Sequence, residues 1–277
     1  MTTSTLPAGA AIGRVALLVA DLDRLVAFYR DVVGLRVLDR TDDRATLGVD
    51  GRPLLELHAD AEAMPRASDE AGLFHTAFRV PHRGALGAAL ERIEDAWRLT
   101  GASDHRVSEA LYLRDPEDNG VEIYRDRERD VWPTDDGRVQ MDTLPLDLDA
   151  LRADADGEPE LPPEADIGHV HLEVTDVETA REFYVDTVGF EIRQAWNGAL
   201  FVAAGGYHHH VGLNVWNARS RPGSGRGLAW FEVVVPGEAL PDVRHRLESA
   251  DGIVSETPDG LSVRDADGIE IRFTSDR

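Results

Sequence analysis

Ile12-Gly13-Arg14-Val15-Ala16-Leu17, followed by Phe28-Tyr29 and Gly34-Leu35, is written a second time as Ile167-Gly168-His169-Val170-His171-Leu172, followed by Phe183-Tyr184 and Gly189-Phe190. The offset is 155 residues throughout, and it also carries Gly72-Leu73-Phe74-His75 and Pro81 onto Gly227-Leu228-Ala229-Trp230 and Pro236. The chain is a tandem duplication, so every position can be compared with its twin. Twins that differ in chemistry are where function is sought first.

Each half divides once more. Val15 to Val19 reads as a strand, and Asp21 caps a helix whose Leu22, Leu25, Phe28, Tyr29 and Val32 fall at helical spacing until Gly34 ends it. Short strands follow around Arg36 to Leu38, Ala45 to Val49 and Leu54 to His58, separated by the turn dipeptides Asp42-Asp43 and Asp50-Gly51. The order strand, helix, three strands recurs from His75 to Tyr124, from Gly168 to Trp216 and from Leu228 to Phe273. The expected fold class is α+β, with four βαβββ modules in two halves, 1–126 and 167–277. Between them, 127–166 is rich in Asp, Glu and Pro without sustained periodicity and reads as a linker with a short ordered turn near Leu144 to Leu151.

The 277 residues carry 52 acidic and 29 basic side chains, for a formal charge of −23, and every basic residue is Arg. An acidic, lysine-free shell suits high internal salt, where screening mutes self-repulsion. Nucleic acid is not expected as a partner, because phosphate neutralisation needs a basic stripe; anionic membrane surfaces are disfavoured for the same reason. With no cysteine, disulfides, thiolate nucleophiles and thiolate ligands are excluded, and any metal must rest on His and carboxylate. The start, Met-Thr-Thr-Ser-Thr-Leu-Pro, lacks the features of a signal peptide, and no apolar run approaches the roughly 20 residues that span a bilayer. A soluble cytoplasmic protein is expected; self-association into a homo-oligomer stays open.

Four such modules, with Asp-Leu-Asp, Phe-Tyr and Gly-Leu punctuation in the first, resemble the vicinal oxygen chelate superfamily, which includes glyoxalase I, bleomycin-resistance proteins and extradiol ring-cleaving dioxygenases. More narrowly, Gly101 to His105, Ser108 to Leu113, Asn119 to Tyr124 and Gly206-Tyr207-His208-His209-His210 look like the catechol 2,3-dioxygenase group. The resemblance implies that each module offers one inward position on its first strand and one on its last, and that two modules curl into a cup around a metal. The positions implied here are Arg14 and Glu56, His75 and Glu122, His169 and Asn214, and Trp230 and Glu270.

Pairing the modules in chain order gives no cup with two imidazoles. Pairing the second with the third, and the first with the fourth, collects His75, Glu122 and His169 with Asn214 in one cup and leaves Arg14, Trp230, Glu56 and Glu270 in the other. Neither a guanidinium nor an indole binds a divalent metal. Two imidazoles and one carboxylate facing open positions suit Fe(II) oxygen chemistry, and Mn(II) would serve the same set. The plainer reading of a lone strand histidine is a satisfied core residue, and Glu270, in Ile269-Glu270-Ile271, shows that the motif around Glu122 occurs without histidines.

The resemblance further implies a His and a Tyr beside the metal, for which His210 and Tyr112 are the candidates. Strand alternation would put His208, His210, Gly212 and Asn214 on one side, although a polar surface turn is the alternative for the His cluster. His171 is a rival ligand or a donor behind the metal, and His105 a substrate contact or simple turn polarity; His58, His82 and His245 are read as surface residues. The function implied is extradiol cleavage of a catechol-like aromatic diol by dioxygen. Two other readings are a glyoxalase-type isomerase or lyase, which commonly uses a fourth protein ligand, and a metal-free protein holding an aromatic ligand against Trp230, Trp216 or Trp196.

Overall fold

The computed structural model describes residues 5–196, 198–250 and 253–276; Met1–Ser4, on which the reading of the chain start partly rests, lie outside them. The first module is β1 (Ala11–Val19), α1 (Leu22–Phe28), β2 (Arg36–Arg40), β3 (Arg44–Val49) and β4 (Arg52–Ala59). The second is β5 (Gly72–Val80), α2 (Arg83–Ala96), β6 (Gly101–Asp104), β7 (Ser108–Arg114) and β8 (Gly120–Asp126). The intervening segment holds β9 (Thr134–Asp135), β10 (Arg138–Val139), β11 (Leu144–Pro145) and α3 (Leu148–Ala153). The third module is β12 (Asp166–Glu173), α4 (Val177–Arg181), β13 (Glu191–Trp196), β14 (Ala199–Ala203) and β15 (Val211–Asn214). The fourth is β16 (Gly227–Val235), α5 (Leu240–Ser249), β17 (Ser255–Thr257), β18 (Gly260–Arg264) and β19 (Glu270–Ser275).

The α+β architecture of four βαβββ modules is therefore present. In one unit the strands run β17-β18-β19-β16 and β12-β15-β14-β13; in the other they run β11-β6-β7-β8-β5 and β4-β3-β2, with β9 and β10 as a separate hairpin. In the second, third and fourth modules the first strand runs parallel to the last, β5 with β8, β12 with β15 and β16 with β19, while neighbours such as β7 and β8 are antiparallel. By compactness, the chain divides into one unit of the described residues up to Ala16, Met64–Phe74 and those from His169 onward, and another of Leu17–Ala63 and His75–Gly168.

The helix expected to run from Asp21 to Gly34 is not uniform. Asp21 caps it by accepting from the Arg24 backbone N–H at 3.0 Å, but after Phe28 it widens into a π-helical turn, Tyr29–Val33, closed by Gly34 at φ +96°. The twin does the same: Asp176 caps α4, a π turn covers Glu182–Thr187, and Gly189 has φ +98°. A left-handed residue closing a helix is best filled by glycine. The first residue of the first π turn, Tyr29, is buried and its hydroxyl donates to Asp115 at 3.1 Å, in the turn that leads to β8. In the other unit, Tyr184 donates to Asp265 at 3.0 Å, in the turn that leads to β19. Each clamp fixes one module's helix to the companion module's last turn, which gives the repeated Phe-Tyr pair a structural purpose.

Module two differs from expectation at its edges. Its helix starts at Arg83 because the His82 imidazole accepts from the Ala85 N–H at 3.1 Å, and it stops before Trp97, whose indole N–H donates to the Arg114 carbonyl at 2.8 Å. The segment after β8 carries more order than one turn. Leu144 and Pro145 pair with Asp104 and Ser103 on β6. α3 lies on α2, with Leu151 fully buried and Arg152 held by Glu94 at 2.8 Å. Gly87 permits that approach, since a Cβ there would lie 2.7 Å from the Leu151 carbonyl oxygen.

The clamps also carry a pH dependence. Burial raises the Asp265 carboxyl from 3.8 to about 6, against the lowering effect of the Ile269 N–H bond; Asp115 is raised by burial too. Between the two values of Asp265, the unfolded chain ionises while the fold keeps the proton. Rising pH therefore removes stability through this window, by about 3 kcal/mol in all. The Asp265→Asn variant has no such proton, so urea midpoints should show it gaining on the parent by that amount between about pH 4 and pH 7. A difference independent of pH would clear Asp265 as the source.

Candidate metal centre

In the unit that contains the second module, the parallel register of β5 and β8 sets Ala77 beside Glu122, so His75 and Glu122 project from the same face. His75 Nε2 lies 2.9 Å from Glu122 Oε2, and the two residues are only 6% and 2% exposed. A carboxylate buried this deeply is costly unless it is paired. On the antiparallel neighbour β7, Tyr112 is directly opposite Glu122. Burial, the charge on Glu122 and a hydrogen bond to it hold the Tyr112 phenol well above its ordinary value, so it stays a neutral donor.

Tyr112 has a second partner. His105 Nε2 lies 2.6 Å from the Tyr112 hydroxyl, and His105 Nδ1 lies 2.6 Å from the Asp142 carbonyl oxygen. Because a carbonyl only accepts, Nδ1 bears a proton. Neutral His105 then accepts from Tyr112; protonated His105 donates to it and leaves the phenol hydrogen to Glu122. The His105 string was read for its resemblance alone, and this link to Tyr112 had no sequence signal.

In the other unit, His169, His171 and Glu173 alternate along β12 and share a face, with exposures of 2%, 4% and 1%. The alternation expected to continue back from Asn214 to His208 stops at Val211, where β15 begins. Gly205 and Gly206, at φ +62° and +71°, turn the chain sharply in a backbone region that glycine alone enters without strain. The three histidines that follow are therefore not arranged as a strand. The His209 ring lies against His169, tilted by 46° with centroids 4.1 Å apart, and His208 Nδ1 lies 2.7 Å from His209 Nδ1; one of these nitrogens donates and the other accepts. His210 is tied to the turn instead: its Nδ1 accepts from the Ala204 N–H at 3.1 Å, and its ring lies 4.9 Å from Tyr207.

His75 and Glu122 in one unit and His169 in the other are all buried, and each is of a donor type that a metal takes. Asn214, the implied fourth position, is fully buried with both ends of its amide engaged: Nδ2 donates to the Leu172 carbonyl at 3.2 Å and Oδ1 accepts from the Trp216 N–H at 3.1 Å. His171 stands apart from that group. Its ring packs against Phe74, Phe201 and Trp216 and lies over Gly212, its lateral neighbour on β15. His82 and His245 are exposed, whereas His58 is half-buried against Glu56 at 3.2 Å.

The twin residues make a different structure. Arg14 grips Glu232 through Nη2–Oε1 at 2.8 Å and Nε–Oε2 at 3.1 Å. Its guanidinium lies 5.5 Å from the Trp230 ring, which Arg272 covers from 4.0 Å. Arg272 is in turn held by Glu270 at 2.9 Å. Where the twins place imidazole and carboxylate, this constellation places a cation–π stack that offers no pair of neutral donors to a metal.

A family model described as the glyoxalase/bleomycin resistance protein/dioxygenase superfamily matches residues 11–123 and 166–273. The chain belongs to this superfamily. A relative from Bacillus subtilis (strain 168) named catechol-2,3-dioxygenase is 41% identical over 266 residues, covering 92% of this chain and 93% of the relative. Among solved structures, a Bacillus subtilis protein provisionally described as a dioxygenase aligns with TM-score 0.69 at 16% identity, over 99% of this chain and 86% of that one. Glyoxalase I from Zea mays aligns with TM-score 0.60 at 16% identity, over 96% and 92%. These two likenesses are of fold. Among the described residues, no helix is long and apolar enough to cross a membrane.

Gly212 leaves room for the His171 ring on the third-module face of this superfamily member. A Cβ there would lie 2.7 Å from His171 Cδ2. The Gly212→Ala variant should lose about 1–3 kcal/mol in urea unfolding as the imidazole is displaced, with a changed near-UV circular dichroism of the folded state. An unchanged midpoint and spectrum would mean that the ring has room to move.

Proposed function

We propose that the protein is an Fe(II)-dependent extradiol dioxygenase that opens the ring of a catechol-like aromatic diol, with His75, Glu122 and His169 as the metal ligands. One observation supports this most: His75 and Glu122 are buried in contact on one strand face, His169 is buried on β12, and Asn214 is committed to the backbone. Three protein donors leave positions for both diol oxygens and for dioxygen, and the donor set fits Fe(II) or Mn(II). A glyoxalase-type reaction with a fourth protein ligand is less well served, because the amide at that place is already occupied. The catechol-2,3-dioxygenase name of the 41% identical relative supports the same substrate class.

A bound ferrous ion would supply the electron-rich centre that joins the two substrates. The chain's own residues supply the rest. Glu122 and the two imidazoles set the charge and orientation of the centre, and their burial keeps bulk water out. His209, packed against His169, is the imidazole we assign to take the diol proton, and the Nδ1 contact to His208 gives that proton an onward path. His210, the other candidate for this role, is held at the Gly205-Gly206 turn by the Ala204 N–H. Tyr112 donates a hydrogen bond at the Glu122 side and stays un-ionised because of its burial. We place the enzyme in the cytoplasm of a cell with high internal salt, on the strength of its 52 acidic residues and absence of lysine.

Anaerobic Fe(II) reconstitution followed by oxygen uptake with catechol tests the assignment. The His169→Ala variant should lose both iron and activity, while His245→Ala, altered on an exposed face of α5, should keep both. Equal behaviour of the two would refute the ligand set. His209→Asn should retain iron and lose about 10²–10⁴ in kcat, more than His210→Asn loses.

A further inference from the structure

Six aromatic rings form a continuous stripe that starts at His169. His209 packs against His169 at 4.1 Å, and Phe201 meets His209 at 5.2 Å. His171 follows at 5.6 Å from Phe201, and Phe74 and Trp216 lie 5.1 Å and 5.3 Å from His171. The stripe is built by register: His171 on β12 and Phe201 on β14 both oppose Gly212 on β15, and the missing side chain lets the two rings meet over it. It is not closed core. Phe74 and Phe201 are part-exposed, and Trp216 is 43% exposed, an arrangement that leaves apolar ring surface open to a ligand.

The charges beyond the stripe are already matched. Glu173, two residues past His171, receives Arg66 Nη2 at 2.7 Å, Arg219 Nη2 at 2.8 Å and Asn217 Nδ2 at 2.5 Å. Both guanidinium groups are thus directed at a buried carboxylate, and an anionic substituent arriving here would compete with Glu173 for them. An uncharged apolar substituent meets no such conflict.

We infer that the Phe201–His171–Trp216 stripe is the subsite for an uncharged apolar substituent on the diol ring, making alkyl- or aryl-catechols the substrate class and excluding ring carboxylates. This rests on the proposed ring-opening activity and deepens it. The ring carrying both hydroxyls stays at His169 and His209, and the substituent extends along the stripe toward Trp216. A hydrophobic pocket of this kind discriminates by about 10–200-fold.

Two measurements test the inference. With Fe(II)-loaded parent, kcat/KM for a tert-butyl catechol should exceed that for a dihydroxybenzoate by at least about tenfold, and Phe201→Ala and Trp216→Ala should each reduce that ratio by about tenfold. The Trp196→Ala variant, altered at an exposed position, should leave the ratio as in the parent. Separately, tert-butyl catechol should quench tryptophan fluorescence of the metal-free protein saturably, and the Trp216→Phe variant should lose that signal. A parent that opens catechol without preferring the apolar diol overturns this inference alone. If the parent opens no diol, the proposed function fails and the titration decides the subsite by itself: saturable quenching lost in Trp216→Phe sustains it, and absence of quenching overturns it.

Discussion

A carboxylate almost without solvent contact has to be compensated where it lies, and Glu122 is the residue that imposes this demand. Its compensation comes from His75 on the neighbouring parallel strand at 2.9 Å and from the Tyr112 phenol on the antiparallel one. Both partners depend on register: slipping either strand by one residue would turn its side chain to the opposite face and leave the charge buried alone. The local order of β5, β8 and β7 is in this sense required by one ionised group. The outer contacts follow in sequence, with His105 on Tyr112 and the Asp142 carbonyl on His105.

The duplication shows what happens when the same framework is relieved of that demand. The helix caps, π turns and Tyr–Asp clamps are kept in both halves, because they hold modules together whatever the cup contains. The inward residues have diverged. Arg14, Trp230 and Arg272 close into a stacked, ion-paired set, which fills space and satisfies charge without a metal. Framework and chemistry are therefore separable here residue by residue, and the fold alone says little about the reaction.

Much of this was legible in the chain itself. The four-module plan and the caps at Asp21 and Asp176 follow from periodicity and repeat, and the shared face of His75 and Glu122 follows from their places on the first and last strands of one module. What escaped was non-local or depended on backbone bends. The π turns leave no mark in a 3.6-residue pattern, β6 is four residues long, and the Gly205-Gly206 turn breaks the alternation by which His208 and His210 would have shared a side. The ring contacts around His171 were equally hidden, since they arise only when β14 and β15 come into register over a residue with no side chain. The contact of His209 with His169 is hidden for the same reason, since strand alternation singles out His208 and His210 instead.

The segment between the halves also has a role beyond joining them. β6 would otherwise end its sheet with unpaired N–H and C=O groups, and such an edge is a template on which a second chain can add a strand. Leu144 and Pro145 occupy that edge, and a proline facing outward offers no donor for further extension. The connection thus doubles as an edge guard, so that shortening it would expose a self-complementary β-surface and favour aggregation before it disturbed the distant chemistry.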